Sequence, residues 1–289
     1  LDRHESGASC IWDVCGPALD PKGASPCLSH AWPQSGVTSA VMTTSSQTNP
    51  SQTNPSRINA NGVDIAYLEA GPKDGPLALC LHGFPDHAPT WRYLMPLLAE
   101  AGYHAVAPWL RGYAPTGLAA DGNYQVASLA LDALALADQL AGDNDAVIIG
   151  HDWGAITTHT AVAHRPDRFS KMVAIAVPHA LAMGAYLMEP EQLKRMWYQF
   201  FFQMSTADFV VPMNDFAIIE KLWADWSPGY TPDPEDMRTL KETLASPGTL
   251  TAALNYYRFV HGTLANDPTL DAVQAGFISP ITIPALYLH

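Results

Sequence analysis

Short, unbroken apolar runs constrain this chain more than any other feature. Leu77-Ala78-Leu79-Cys80-Leu81 and Ala146-Val147-Ile148-Ile149 show no polar alternation, and Lys171 to Val177 is of the same kind. A strand of that type buries both faces, which requires neighbours on either side and cover above and below. Between these runs lie segments with helical spacing, expected at about Trp91–Ala101, Val126–Leu140 (ended near Gly142) and Trp153–His164 (stopped before Pro166). His104 to Ala107 supplies another strand. Strands alternating with helices predict a mostly parallel sheet covered by helices, an α/β fold. Arg57 to Glu69 predicts a hairpin turned at Asn61-Gly62, a pair suited to positive φ angles. From about Pro178 to Asp267 the strand signal stops, and it returns at Ile281. A helical stretch between two strands of one sheet predicts an inserted cap over 178–266, with the core formed by 57–177 and 267–289. Within it, Leu193, Met196, Trp197, Phe200, Phe201 and Met204 fall on one helical stripe, expected to face the core.

Composition narrows the function classes. Lys and Arg total 15 against 28 Asp and Glu, a net charge of −13. Nucleic-acid binding needs a basic footprint, and so does a polybasic membrane surface. No run approaches the ~18 apolar residues of a membrane span. The cytoplasm is the expected compartment, since the start of the chain lacks the apolar run of a signal peptide. Residues 1–56 are rich in Ser, Thr, Pro, Gly and Gln, and Ser46-Gln47-Thr48-Asn49-Pro50 repeats at once as Ser51-Gln52-Thr53-Asn54-Pro55. Such a segment cannot bury area, so a disordered or non-native extension is expected, with a natural start near Met42. Cys10, Cys15, Cys27 and His30 lie in it, and unpaired residues are the expected reading rather than a zinc site. The chain stops at His289 within the apolar run from Ile281, so a fragment without the last strand and helix of its sheet is expected.

The chemistry is expected where strands end. His82-Gly83-Phe84-Pro85 follows one buried strand, and Gly150-His151-Asp152-Trp153-Gly154 joins another to a helix. The second is a nucleophile elbow with Asp at its centre. Glycines allow the cramped turn, and the helix N-terminus favours a carboxylate. An alkoxide attacking saturated carbon would give an ether, a dead end. A carboxylate gives an ester, which water can cleave. Asp152 at this point therefore predicts hydrolysis at an sp³ carbon, in an epoxide or a carbon–halogen bond. A plain helix cap is the competing role.

These motifs, with Arg111-Gly112-Tyr113, Trp197-Tyr198 and Asn255-Tyr256-Tyr257-Arg258, resemble the α/β-hydrolase superfamily, and within it the epoxide hydrolases. The resemblance runs from about Arg57 to His289. It implies the α/β-hydrolase fold, with Asp152 as nucleophile and the backbone N–H groups of Phe84 and Trp153 as the oxyanion hole. It implies Tyr198 and Tyr257 as donors to the epoxide oxygen. His82, Gly83, Pro85, Gly150, His151 and Gly154 would be structural members of the motifs. At ~100° per residue Tyr198 falls off the Leu193–Met204 stripe. Tyr257 shares a face with Leu250, Ala253 and Leu254, while Tyr256 is expected to point elsewhere. The implied substrates are a small apolar epoxide and water, with no cofactor and no metal.

Two departures from the family pattern stand out. Trp109 replaces a common Asp, and only local consequences are expected. The carboxylate and histidine that activate water would follow the last strand, so this chain is expected to form the ester without hydrolysing it quickly. His82, His151, His179 and His289 are expected to be structural rather than the base. Alternatives are a haloalkane or haloacid dehalogenase of the same fold, or a non-catalytic ligand-binding member. Phe84, unlike the Asn typical of haloalkane dehalogenases, has no side-chain donor for a halide.

Overall fold

A seven-stranded sheet, ordered β1-β2-β4-β3-β5-β6-β7, carries the site. The structure is a computed structural model that describes residues 54–289 apart from Asp143 and Ala185. The expectations for the first 53 residues, including the natural start near Met42 and the four-residue zinc constellation, lie outside the described residues.

β1 (Ser56–Ala60) and β2 (Val63–Ala70) form the hairpin, with Asn61 and Gly62 at φ 50° and 77°. β2 pairs antiparallel with β4 (His104–Pro108). From there β3 (Leu77–Leu81), β5 (Ala146–His151), β6 (Lys171–Ile175) and β7 (Ala285–Leu288) run parallel. The central register sets Leu81 opposite Gly150, so the ends of β3 and β5 lie side by side. β3 and β4 are buried at every position, as an unbroken apolar run requires. Helices α2 (Val126–Ala141) and α3 (Trp153–His164) pack together and on the sheet.

Three boundaries differ from the sequence expectation, each for a local reason. The helix expected over Trp91–Ala101 is a tight 3₁₀ turn, Ala88–Tyr93, followed by α1 (Leu94–Glu100). Pro96 has no N–H and fits only the first turn of an α-helix, so the helix cannot start as early as Trp91. β6 stops at Ile175 because Ala176 turns to φ 68° and Pro178 follows. β7 begins at Ala285 rather than Ile281, just after Pro284, whose carbonyl still accepts from the Met172 N–H at 3.0 Å.

Between β6 and β7 the chain is helical: α4 (Ala180–Gly184), α5 (Pro190–Arg195), α6 (Trp197–Phe201), α7 (Ala207–Val210), α8 (Met213–Trp226), α9 (Pro234–Ala245), α10 (Thr249–Val260) and α11 (Asp271–Gln274). The expected Leu193–Met204 stripe is not the inward face. The helix breaks at Met196 (φ −91°, ψ 10°), which resets the phase between α5 and α6. Met196, Tyr198 and Phe202 are buried, whereas Trp197, Phe200 and Met204 are about half exposed, at 44%, 48% and 55%.

Candidate active site

The turn from β5 into α3 is cramped by design. Asp152 sits at φ 53°, ψ −116°, a strained backbone for a residue with a side chain. Around it, glycines allow contacts that no side chain would. A Cβ on Gly150 would lie 2.1 Å from the Gly154 carbonyl oxygen, and one on Gly154 would lie 2.0 Å from that of Leu81. The elbow therefore packs directly on the end of β3. A Cβ on Gly83 would lie 2.3 Å from the Asp152 Cβ, so the loop after β3 closes over the carboxylate.

His82 locks that loop. Its Nε2 accepts the Leu110 N–H at 3.0 Å, which leaves the proton on Nδ1, 2.9 Å from the Gly83 carbonyl. Burial lowers its pKa to about 3, so the ring is neutral and both nitrogens are committed. With the loop so held, the Phe84 N–H donates to Asp152 Oδ1 at 2.8 Å. The Trp153 N–H lies beside the same carboxylate and favours its charged form. Burial raises the Asp152 pKa, while the nearby His151 and these two N–H groups favour the charged form.

Two phenols stand over this carboxylate. Tyr198, from α6, and Tyr257, from α10, are both buried, with ring centroids 5.8 Å apart. Tyr257 stands edge-on to Trp153 at 5.0 Å and to Phe84 at 5.6 Å. Phe202 completes the wall, 5.2 Å from Tyr257 and 5.6 Å from Tyr198, and Trp226 packs on Tyr198 at 4.8 Å. The Tyr257 hydroxyl is buried and has no hydrogen-bond partner among the described residues. Burial, with Asp152 adding its charge, holds the Tyr198 hydroxyl well above the usual phenol range; burial, with Tyr198 and Asp152 adding theirs, does the same for Tyr257. They are suited to donate a proton to a developing alkoxide and not to lose it beforehand.

The structure thus brings Asp152, Phe84, Trp153, Tyr198 and Tyr257 together, with His82, Gly83, Gly150 and Gly154 holding the two turns. The Pro85 carbonyl accepts the Trp223 indole N–H from α8 at 2.8 Å. His151 lies beside the Asp152 carboxylate, and His179 has its Nε2 at 2.9 Å from the Ser279 carbonyl.

Tyr256 corrects the sequence expectation, because it is fully buried. Its hydroxyl donates to the Arg111 carbonyl at 2.7 Å and its ring lies 5.3 Å from Trp153. Helical phase separates adjacent residues by ~100°, and α10 is wedged between core and helices widely enough to bury both. Arg111 itself is structural, forming a buried two-pronged pair with Asp132 at 2.6 and 2.5 Å. Arg258 donates from Nε to the Phe202 carbonyl at 3.0 Å and pairs with Asp208, which ties α10 to the α6–α7 turn.

Sequence reasoning also missed three neighbours. Asp86 is buried, accepts the His87 N–H at 2.8 Å, and is pushed up to about 6 by burial, with Asp152 adding to the shift. Its place directly after the His82–Pro85 motif was the available signal. Tyr113 is fully buried, its ring centroid 4.8 Å from that of His82, and its hydroxyl has no hydrogen-bond partner among the described residues. Gln199 donates to the Tyr198 hydroxyl at 3.0 Å. A cleft of about 110 Å³ is lined by Asp86, Trp223, Tyr230 and the ion-paired Arg92 and Asp236. Among the described residues no group of three or more His, Cys, Asp or Glu is placed to hold a metal ion, and no helix is long and apolar enough to cross a membrane.

The chain is similar to known proteins in sequence and fold. The α/β hydrolase fold family matches residues 76–212. The AB hydrolase superfamily protein YfhM of Bacillus subtilis is 33% identical over 222 residues, which is 74% of this chain and 76% of that protein. Human epoxide hydrolase 4 is 32% identical over 212 residues, 71% of this chain; the chain spans 58% of the length of that relative. The crystal structure of epoxide hydrolase VrEH1 from Vigna radiata superposes with a TM-score of 0.64 at 26% identity, over 81% of this chain and 78% of that one. The chain belongs to the α/β-hydrolase superfamily and is epoxide hydrolase-like within it.

Proposed function

We propose that the chain opens apolar epoxides by covalent attack from Asp152. The observation that carries this reading is a buried carboxylate held by the Phe84 N–H, with the Trp153 N–H beside it, beneath two buried phenols. An Asp152 oxygen bonds to a ring carbon, and the carbon–oxygen bond of the three-membered ring breaks. The departing oxygen takes a proton from Tyr198 or Tyr257, and the phenolate left behind is reprotonated from water. An alkoxide is a poor leaving group, so aimed donors in a dry site are what the step needs. Release of the diol would require water to attack the ester carbonyl, with the two N–H groups placed to stabilise the tetrahedral oxyanion. The helices between β6 and β7 act as the cap that brings the phenols over the core, and its aromatic lining favours an apolar substrate.

We further infer that the 289-residue chain stops at the ester. Among the described residues no histidine is hydrogen-bonded to Asp152. His82 has both nitrogens committed, and His179 bonds to Ser279. Exposure to styrene oxide should add one epoxide mass to the peptide carrying Asp152, and Asp152→Ala should abolish the addition. Diol release at a sustained rate would refute the stop at the ester. An unmodified peptide from folded protein would refute the nucleophile, and halide release from an apolar haloalkane without epoxide addition would move the reading to a dehalogenase.

A further inference from the structure

A tyrosine hydroxyl carries one proton, and its usefulness to a substrate depends on where that proton points. Tyr198 has a neighbour that settles the direction. Gln199 Nε2 lies 3.0 Å from the Tyr198 hydroxyl oxygen, and an amide nitrogen can only donate. The hydroxyl therefore accepts from Gln199 and its own proton is turned away from the amide; Tyr257 and the Asp152 charge are among its other neighbours.

The reverse arrangement would be harmful. With the amide turned over, Oε1 would face Tyr198 and take its proton. His261, at the end of α10, opposes that reversal: its Nε2 lies 2.9 Å from Gln199 Oε1. An N–H at Nε2 needs an acceptor, and the amide oxygen supplies it only in the orientation observed. A cationic His261 donates from Nε2 as well, so the amide is held this way whenever Nε2 carries a proton; the neutral Nδ1–H tautomer would accept there and favour the reversed amide. The surrounding chain holds the amide in place. Gln203 Nε2 donates to the Gln199 backbone carbonyl at 2.8 Å, and Thr263 Oγ1 donates to Gln203 Oε1 at 2.6 Å. Both ends of the clamp, His261 and Thr263, come from the turn that follows α10, the helix that carries Tyr257.

We propose that Gln199, oriented by His261, is a positioning residue that keeps the Tyr198 proton aimed at the epoxide oxygen. The proposal rests on the reading of Tyr198 as a donor. It assigns no contact with substrate to Gln199 or His261; both act through the phenol.

The test is the single-turnover rate of Asp152 alkylation by styrene oxide, followed by intact mass, on the full chain. Gln199→Leu should slow alkylation about tenfold, and His261→Leu should slow it in the same direction. Combined with Tyr198→Phe, Gln199→Leu should add no further loss, since nothing remains for it to orient. Gln199→Glu supplies the readout that a packing role would not move. Its carboxylate can only accept and should hold the Tyr198 proton at neutral pH. Relative to wild type at each pH, its rate should recover as pH falls and the carboxyl regains a proton to donate. Independent, multiplying losses in the double variant, or full-rate alkylation by folded Gln199→Leu, would overturn the proposal. Tyr198→Phe at the wild-type rate would instead remove the reading of Tyr198 itself. Slow Tyr198→Phe beside fast Gln199→Leu would remove only the role of Gln199. Should Gln199→Leu fail to melt cooperatively, His261→Leu decides alone: its side chain lies at the solvent edge of the clamp, and a full rate there is equally fatal.

Discussion

Two glycines of the elbow region face different neighbours, and that difference separates function from stability. Gly83 faces a side chain: its Cβ would meet Asp152 Oδ1 at 2.4 Å and Cβ at 2.3 Å. Gly154 faces backbone, with the Leu81 carbonyl at 2.0 Å. In Gly83→Ala rotation of the carboxylate relieves the Oδ1 contact but leaves the Cβ in place, so the loop after β3 must shift as well, at the expense of the bond from Phe84. The fold should survive, and Asp152 alkylation should fall by about a hundredfold, the usual cost of an ångström of misplacement. In Gly154→Ala the contact between the start of α3 and the end of β3 must open, because neither backbone can rotate away. That variant should lose several kcal/mol of stability, on the order of 3 or more, or fail to fold. Denaturant titration and alkylation rate on both proteins check the contrast. A Gly83→Ala that is destabilised like Gly154→Ala would contradict it. Both glycines are legible in the sequence as motif members. What each touches is not, since it depends on Leu81 and Gly150 being opposed across two strands.

At the scale of elements, the site is assembled by α10. One helix contributes Tyr257 to the pocket, Tyr256 to the core and Arg258 to the α6–α7 turn. Removing the Tyr256 hydroxyl in Tyr256→Phe leaves the Arg111 carbonyl without that donor in a buried place. A loss of about 1–2 kcal/mol is expected. Asp132→Ala should cost more, about 3–5 kcal/mol, because it leaves the Arg111 guanidinium buried and short of its partner. Urea unfolding gives both numbers, and equal losses would contradict the ranking. The sequence made the strands of this fold readable because their apolar runs are continuous and end at Gly or Pro. It made the helices between β6 and β7 much less so. The Leu193–Met204 stripe has correct helical spacing, yet Trp197 and Phe200 are half exposed while Tyr198 and Phe202 are buried. A one-residue break at Met196 is enough to rotate the pattern, and periodicity read across it assumes a helix that does not exist. Tyr198 is buried beside Tyr257 through that break and not through a straight helix. Tyr256 was misplaced because α10 is enclosed on more than one side, which spacing along a single helix does not reveal.

At the scale of the whole molecule, burial of neutral imidazoles sets the response to acid. Burial lowers the pKa of His82 to about 3, and of His87 and His159 to about 4. Each titrates near 6.5 once unfolded, so the unfolded chain binds more protons than the folded one between roughly pH 6.5 and 4. Stability therefore falls as pH drops through that window. Asp86 works the other way. Its folded pKa of about 6 lies above the unfolded value, so the folded form binds the extra proton, and that contribution is lost as pH rises through 6. Each such histidine contributes up to about 1.4 kcal/mol per pH unit near pH 5, offset in part by Asp86 and by Asp132 and Asp152, whose pKa burial also raises. The urea midpoint should thus decline from pH 7 to 5. His159 offers a way to apportion the slope, since it is buried and neither ring nitrogen has a hydrogen-bond partner among the described residues. His159→Phe removes a group that must stay neutral, at no loss of a hydrogen bond, and should flatten the decline by about one proton while leaving stability at pH 8 nearly unchanged. A midpoint that is flat between pH 7 and 5 in the wild type would refute the buried-imidazole account. An unaltered slope in His159→Phe would remove His159 from it.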